Sequence, residues 1–309
     1  MAVPGLDEVR GAGKLGLARA LAAIEAAPDD AATLDLLDAA FHAARAQVVG
    51  LTGPPGVGKS TLISALIRRL RTDGRTVGVV AVDPSSRRTG GALLGDRTRI
   101  EADPDDAGTF VRSLAARDQL GGLAALATAT TVLMRALYDV VIVETVGVGQ
   151  SETAIERLGD TVVLCIQPGS GDVLQFMKAG IAEIPDIVVV TKADLGALAD
   201  KAVQDVRGAL ALAGGPRFGP DVPVQAVAGS EGRGVDELVE ALRGHWAWLE
   251  MEARLSRRRH SQAEAWLVDA VREGWGRTGV ARAAPQHGLH LTPEESPFRR
   301  LRALGALLG

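Results

Sequence analysis

The stretch Gln47-Val-Val-Gly-Leu-Thr-Gly-Pro-Pro-Gly-Val-Gly-Lys-Ser60, followed by Thr61-Leu-Ile-Ser-Ala-Leu-Ile-Arg-Arg-Leu70, decides the fold of this chain. Its first six residues form an apolar run that reads as a strand, and its last ten carry apolar residues at helical spacing. Between them Gly53 to Ser60 satisfies GxxxxGK[ST], and strand, glycine loop, helix is the order in which that pattern has a mechanism. Gly56 and Gly58 let the backbone curl until successive N–H groups converge on a phosphate, and the helix starting near Lys59 adds the positive end of its dipole. Lys59 is placed to reach the β and γ phosphates, and Ser60 to bind Mg²⁺. Gly53, Pro54, Pro55, Gly56, Val57, Gly58, Lys59, Ser60 and Thr61 are thus the candidate phosphate cradle of a nucleoside triphosphate site.

Downstream, short β-branched runs alternate with helical segments, the signature of an α/β fold whose mostly parallel sheet is flanked by crossover helices. Strands are expected at 47–52, 76–82, 140–144, 161–166, 187–191 and 222–227, each apolar throughout, as when both sheet faces are covered. Residues 9–27 and 31–46 read as helices separated by Pro28-Asp-Asp30, with Asp30 as the cap. After Trp248 comes a charged helix to Gly274, then a Gly- and Pro-containing tail that ends in the apolar-basic segment 298–308. The expected organisation is an N-terminal helical segment over 1–46, a P-loop domain over 47–248, and a C-terminal helical extension over 249–309, a candidate dimerisation arm.

Composition narrows the functional class. The chain has 309 residues, 47% hydrophobic and 23% charged, as in a soluble globular protein. A net charge of −4 gives no electrostatic reason to expect nucleic acid. No apolar run reaches membrane-spanning length, and Met1 to Glu8 lacks the basic-then-apolar layout of a signal peptide, so a cytoplasmic location is expected. The one cysteine, Cys165, excludes an internal disulfide and any multi-cysteine metal site, and its apolar setting reads as a buried strand position. Arg257-Arg-Arg259 reads as a solvated face. Trp246, Trp248, Trp266 and Trp275 concentrate in the last quarter, as an oligomer interface or as ordinary core.

Base identity is carried by Val188-Val-Val-Thr-Lys-Ala-Asp194, a strand ending in TKxD. Guanine presents two donors on one edge, and a carboxylate at Asp194 can accept both, whereas adenine would leave it unpaired. The stem of Lys192 would cover the base, and Thr191 stands where NKxD motifs have asparagine, with one hydroxyl donor in place of an amide's two. Two acids at strand ends, Asp83 and Glu144, suit a cation that takes one or two carboxylates plus phosphate oxygens. The Gly147 N–H is placed to meet the γ phosphate.

From this point the chain resembles a known family. Pro84-Ser-Ser-Arg-Arg-Thr-Gly-Gly-Ala-Leu-Leu-Gly-Asp-Arg-Thr-Arg99 and Glu144-Thr-Val-Gly-Val-Gly-Gln-Ser-Glu152 are similar to the MeaB/ArgK family of P-loop GTPases of the SIMIBI class, up to about Gly276. That resemblance implies a GTPase chaperone for an adenosylcobalamin-dependent acyl-CoA mutase, methylmalonyl-CoA mutase above all, the cobalamin belonging to the partner. It further implies that Asp83, Asp96 and Glu144 form the Mg²⁺-side cluster with Ser60, and that residues 148–152 sense the γ phosphate. Gln150 among them reads equally as a residue that orients water or as a switch glutamine that only hydrogen-bonds backbone. Residues 171–180 resemble a coupling segment containing Lys178, beside which Ala179 replaces the family's second lysine. Ala228, Gly229 and Ser230 match the last guanine-contacting loop, with Ala228 where serine is usual. A homodimer is expected. A nickel-insertion GTPase of the same class is disfavoured by five scattered histidines and one cysteine. A non-hydrolysing nucleotide-dependent scaffold is disfavoured by the intact Lys59, Ser60, Asp83 and Glu144.

Overall fold

The computed structural model describes residues 3–83, 100–115, 122–145, 151–169, 185–212, 221–284 and 288–308, and within them elements are numbered in chain order. Seven strands form one sheet: β1 (Gln47–Thr52), β2 (Val77–Asp83), β3 (Thr109–Ala115), β4 (Val140–Thr145), β5 (Thr161–Ile166), β6 (Ile187–Val190) and β7 (Val224–Ala226). Their spatial order is β3-β2-β4-β1-β5-β6-β7, and every pairing is parallel. β1 and β5 are buried along their whole lengths, which is why they read as unbroken apolar runs.

Helices cover both faces. α4 (Lys59–Thr72) and α8 (Val235–Glu250) pack on one side through Leu62, Ile63, Leu66, Leu238 and Val239. On the other lie α1 (Leu6–Gly11), α2 (Gly13–Ala26), α3 (Ala31–His42), α5 (Gly122–Arg135) and α6 (Ser151–Glu156). α7 (Ala197–Leu212) closes the β5-β6-β7 end. Asp30 caps α3 by accepting from the Ala32 N–H at 3.1 Å, as its sequence position predicts.

Three local readings need revision. The helix expected over 9–27 is two helices meeting at Ala12 and Gly13, where Gly13 has a φ of +57°. The next helix stops at His42, because the chain must turn into β1: Arg45 and Ala46 donate to the Arg135 carbonyl at the end of α5. β3 was not anticipated, because it is a half-exposed edge strand whose Arg112 and Ser113 break the apolar run.

The C-terminal segment consists of α9 (Arg254–Ala283), kinked at Gly276, and α10 (Pro297–Leu308). α10 packs on α9 and α3, with Phe298 fully buried and its ring 4.6 Å from that of Trp266. Arg302 pairs with Asp35 of α3 at 2.7 Å. The other tryptophans also serve packing within the chain: Arg254 covers Trp248, Arg259 covers Trp246, and Trp275 lies against Gly279 and Gly305.

Arg258 and Arg259 do not form a solvated face. Arg259 makes a bidentate pair with Asp160 at 2.9 and 2.7 Å and donates to the Ala46 carbonyl at 2.7 Å. Asp160 is fully buried and also accepts from the Val48 N–H at 2.8 Å. Arg258 pairs with Asp186, which accepts from the Val162 N–H. Burial pushes the Asp186 carboxyl up, but His245 and Arg258 outweigh it and hold it below its ordinary range. Asp160→Ala would strand Arg259 beside a buried strand end, so urea denaturation is expected to show a loss of about 3–5 kcal/mol. A loss under about 1 kcal/mol would mean that this contact does not anchor α9.

Candidate nucleotide-binding site

The glycine loop leaves the carboxyl end of β1, between β4 and β5, at the crevice where a parallel sheet reverses its direction of growth. Gly53 enters it with a φ of +143°, and a Cβ there would sit 2.2 Å from the Cys165 carbonyl oxygen, so only glycine fits. Gly58, with a φ of +102°, is the N-cap of α4. Val57 is fully buried and pins the loop, while Pro55 and Gly56 are exposed.

Lys59 is 5% exposed, and its Nζ donates to the carbonyls of Gly53 at 2.7 Å and Pro54 at 3.1 Å. The ammonium is thereby held inside the loop. Cys165 beneath is wholly buried, and burial pushes its thiol up to about 12, so it is packing and not a nucleophile.

Ser60, in the first turn of α4, has its Oγ 3.5 Å from Oε1 of Glu144 at the end of β4. Strand register fixes this meeting, because Glu144 pairs with Leu51, two residues before the loop. A hydroxyl and a carboxylate at that separation fit a small hard cation, whose adjacent ligands lie about 3 Å apart in an octahedral shell. The Asp83 backbone ends β2 next to β4, but its side chain, together with Asp96, Gly147, Gln150 and Lys178, lies outside the described residues.

Thr191 follows β6 and is 4% exposed. Its Oγ1 lies 2.6 Å from the Val57 carbonyl and 2.9 Å from that of Ile166, tying the base-side loop to the phosphate loop. Lys192 adopts a left-handed φ of 53°, and its Nζ donates to Gln167 Oε1 at 2.5 Å. Asp194 stands exposed on the one-turn helix Ala193–Leu195. Ala228 is buried and its N–H is engaged by the Arg233 carbonyl at 2.9 Å, so that amide is already committed within the loop. Gly229 packs on the start of α4, where an added Cβ would meet the Thr61 carbonyl at 3.3 Å. Sequence reasoning did not single out Gln167, whose signal was only a polar residue one step beyond an apolar strand.

The fold and this loop define a P-loop nucleotide-binding protein. The family model described as methylmalonyl Co-A mutase-associated GTPase MeaB matches residues 17–281, and the chain belongs to that family. A Pyrococcus horikoshii protein named as a GTPase is 46% identical over 222 residues, covering 71% of this chain and 70% of its own length. A Mycobacterium tuberculosis protein named as a GTPase is 39% identical over 271 residues, covering 86% of this chain and 81% of its own. The solved structure of a LAO/AO transport system kinase matches with a TM-score of 0.67 at 25% identity, over 98% of this chain and 95% of that one.

Lys59→Ala should lower GTP affinity at least about tenfold, since it removes the cation held within the loop; calorimetry showing unchanged affinity would overturn the phosphate-loop assignment. Asp194→Asn should weaken GTP and GDP and relax selection against xanthine nucleotides, because the amide can donate to the xanthine C2 carbonyl. Equal changes in ATP and GTP binding would retire the guanine role of Asp194.

Proposed function

We propose that this chain binds GTP and hydrolyses it with Mg²⁺, and that the cycle gates adenosylcobalamin loading into, and protection of, an acyl-CoA mutase such as methylmalonyl-CoA mutase. The observation that carries the reading is the meeting of Lys59, Ser60 and Glu144 at one loop in a chain of the MeaB family.

Phosphoryl transfer asks for positioning and charge neutralisation more than for covalent chemistry. The loop amides from Gly53 to Ser60 and the α4 N-terminus orient the phosphates, and Lys59 offsets their charge. Bound Mg²⁺, held by Ser60 and Glu144 with Asp83 and Asp96, would neutralise charge on the β and γ oxygens. Asp194 reads the guanine edge, with Lys192 against the base and Gly229 and Ser230 at its carbonyl. Gln150 orients the attacking water, and Gly147 follows the γ phosphate. None of these groups is a strong general base, so hydrolysis is slow until a partner reshapes the switch.

On this reading the chain divides at about residues 46 and 248 and acts as a homodimer through its C-terminal extension. Met251, 53% exposed, and Leu307, 64% exposed, leave apolar surface there. The assignment is tested by steady-state GTP turnover with and without methylmalonyl-CoA mutase, stimulation of about tenfold or more being expected; a rate indifferent to the mutase excludes the gating role. Lys178→Ala should leave intrinsic turnover near wild type and remove most of the stimulation. Undiminished stimulation removes Lys178 from the coupling segment.

A further inference from the structure

At the amino end of the sheet, opposite the phosphate loop, α3, α5, α9 and α10 line a partly open cleft with an inner volume of about 30 Å³. One water needs roughly 10–15 Å³, so the inner space takes about two waters or one carboxylate, and any tail on that carboxylate lies in the open mouth.

Arg135, the last residue of α5, lines the cleft and is 7% exposed. Its Nε is buried without a hydrogen-bond partner, and among the described residues no carboxylate pairs with its guanidinium. Asp160, the acid that acts on it electrostatically, is already held bidentately by Arg259. Trp266 shares the wall, and its Nε1 is also buried without a partner. Arg157 and Arg259 also line the cleft, each already paired with a carboxylate, Asp269 and Asp160, and the Arg135 guanidinium lies over the Phe41 ring, 5.5 Å from its centre. Burial first, and Arg259 second, lower the Arg135 guanidinium to about 9. The Phe41 ring offsets part of the cost of burying the cation, but the Arg135 Nε and the Trp266 indole N–H are still held out of water without acceptors, which is unfavourable.

We propose that this cleft binds a small oxyanion, best the carboxylate of a short organic acid, with Arg135 and the Trp266 indole N–H as donors and the short tail in the open mouth. A carboxylate offers acceptors to both orphaned donors, and the small inner space favours it over the bulkier free phosphate. The occupant would sit where the N-terminal helices, the sheet domain and the C-terminal helices meet, and would lock α9 and α10 onto α5.

Thermal unfolding of the full chain saturated with GDP separates this site from the phosphate loop. Propionate titrated against chloride at matched ionic strength is expected to raise the midpoint saturably by about 3 °C or more, with phosphate giving a smaller rise. Arg135→Met should abolish the propionate response, Arg135→Lys should retain part of it, and Trp266→Phe should weaken it several-fold while keeping the packing. A larger phosphate than propionate response that vanishes in Arg135→Met would keep the oxyanion site and replace the carboxylate. Absence of any saturable rise in the wild type, or an undiminished rise in Arg135→Met and Trp266→Phe, overturns the proposal. Should Arg135→Met not fold, Trp266→Phe alone decides.

Discussion

The buried carboxylate of Asp160 is the constraint on which the arrangement of the chain depends. It sits immediately before β5 and takes the Val48 N–H of β1, so it ties together the first backbone groups of two central strands. Its remaining lone pairs take the Arg259 fork, which also reaches the Ala46 carbonyl. A carboxylate with no solvent must have its acceptor sites filled, and here they are filled by the sheet and by the C-terminal helix together. The orientation of α9 therefore follows from the electrostatics of the sheet's amino edge. Asp186, one strand over, repeats the device with the Val162 N–H and Arg258.

The two ends of the sheet thus do different work. At the carboxyl ends, strand register brings Glu144 beside Ser60 and sets Thr191 against the phosphate loop. At the amino ends, Asp186 and Asp160 fix α9 through Arg258 and Arg259. β1 belongs to both: its first residues are held by Asp160, and its last opens into the loop containing Lys59. Gly53 transmits close packing directly, since its backbone lies against the Cys165 carbonyl with no space for a side chain. A rigid, fully buried β1 gives the loop a fixed base from which its amides can be preorganised.

What could be read from the sequence follows the same division. β1 and β5 match their expected limits because strands covered on both faces need unbroken apolar runs. β3 escaped because an edge strand has only one protected side, so Arg112 can pair with Glu25 instead of contributing to a pattern. Lys59 and Ser60 stand out in the sequence because GxxxxGK[ST] fixes their spacing within eight residues, and Glu144 and Thr191 because each stands at the end of an apolar strand. The contacts of Arg258 and Arg259 were not, since Asp186 and Asp160 lie 72 and 99 residues away in sequence and a basic run on a helix looks the same whether it faces water or two buried acids. The orphaned Arg135 was invisible for a like reason: a terminal arginine on a helix is ordinarily exposed and favours the helix dipole.

Thr191 shows how a departure from a common motif can be accommodated. Its hydroxyl has one hydrogen but faces two backbone carbonyls, at 2.6 and 2.9 Å, so it can satisfy only one at a time or share a single bond between them. An asparagine amide carries two hydrogens and could hold both. The shorter distance is to Val57, inside the phosphate loop, so the single donor is aimed mainly at the loop and less at the end of β5. The link that remains joins the segment presenting Lys192 and Asp194 to the backbone presenting Lys59. The TKxD segment and the glycine loop are then joined through one hydroxyl hydrogen, a link softer than a two-bond bridge while running through the same backbone atoms.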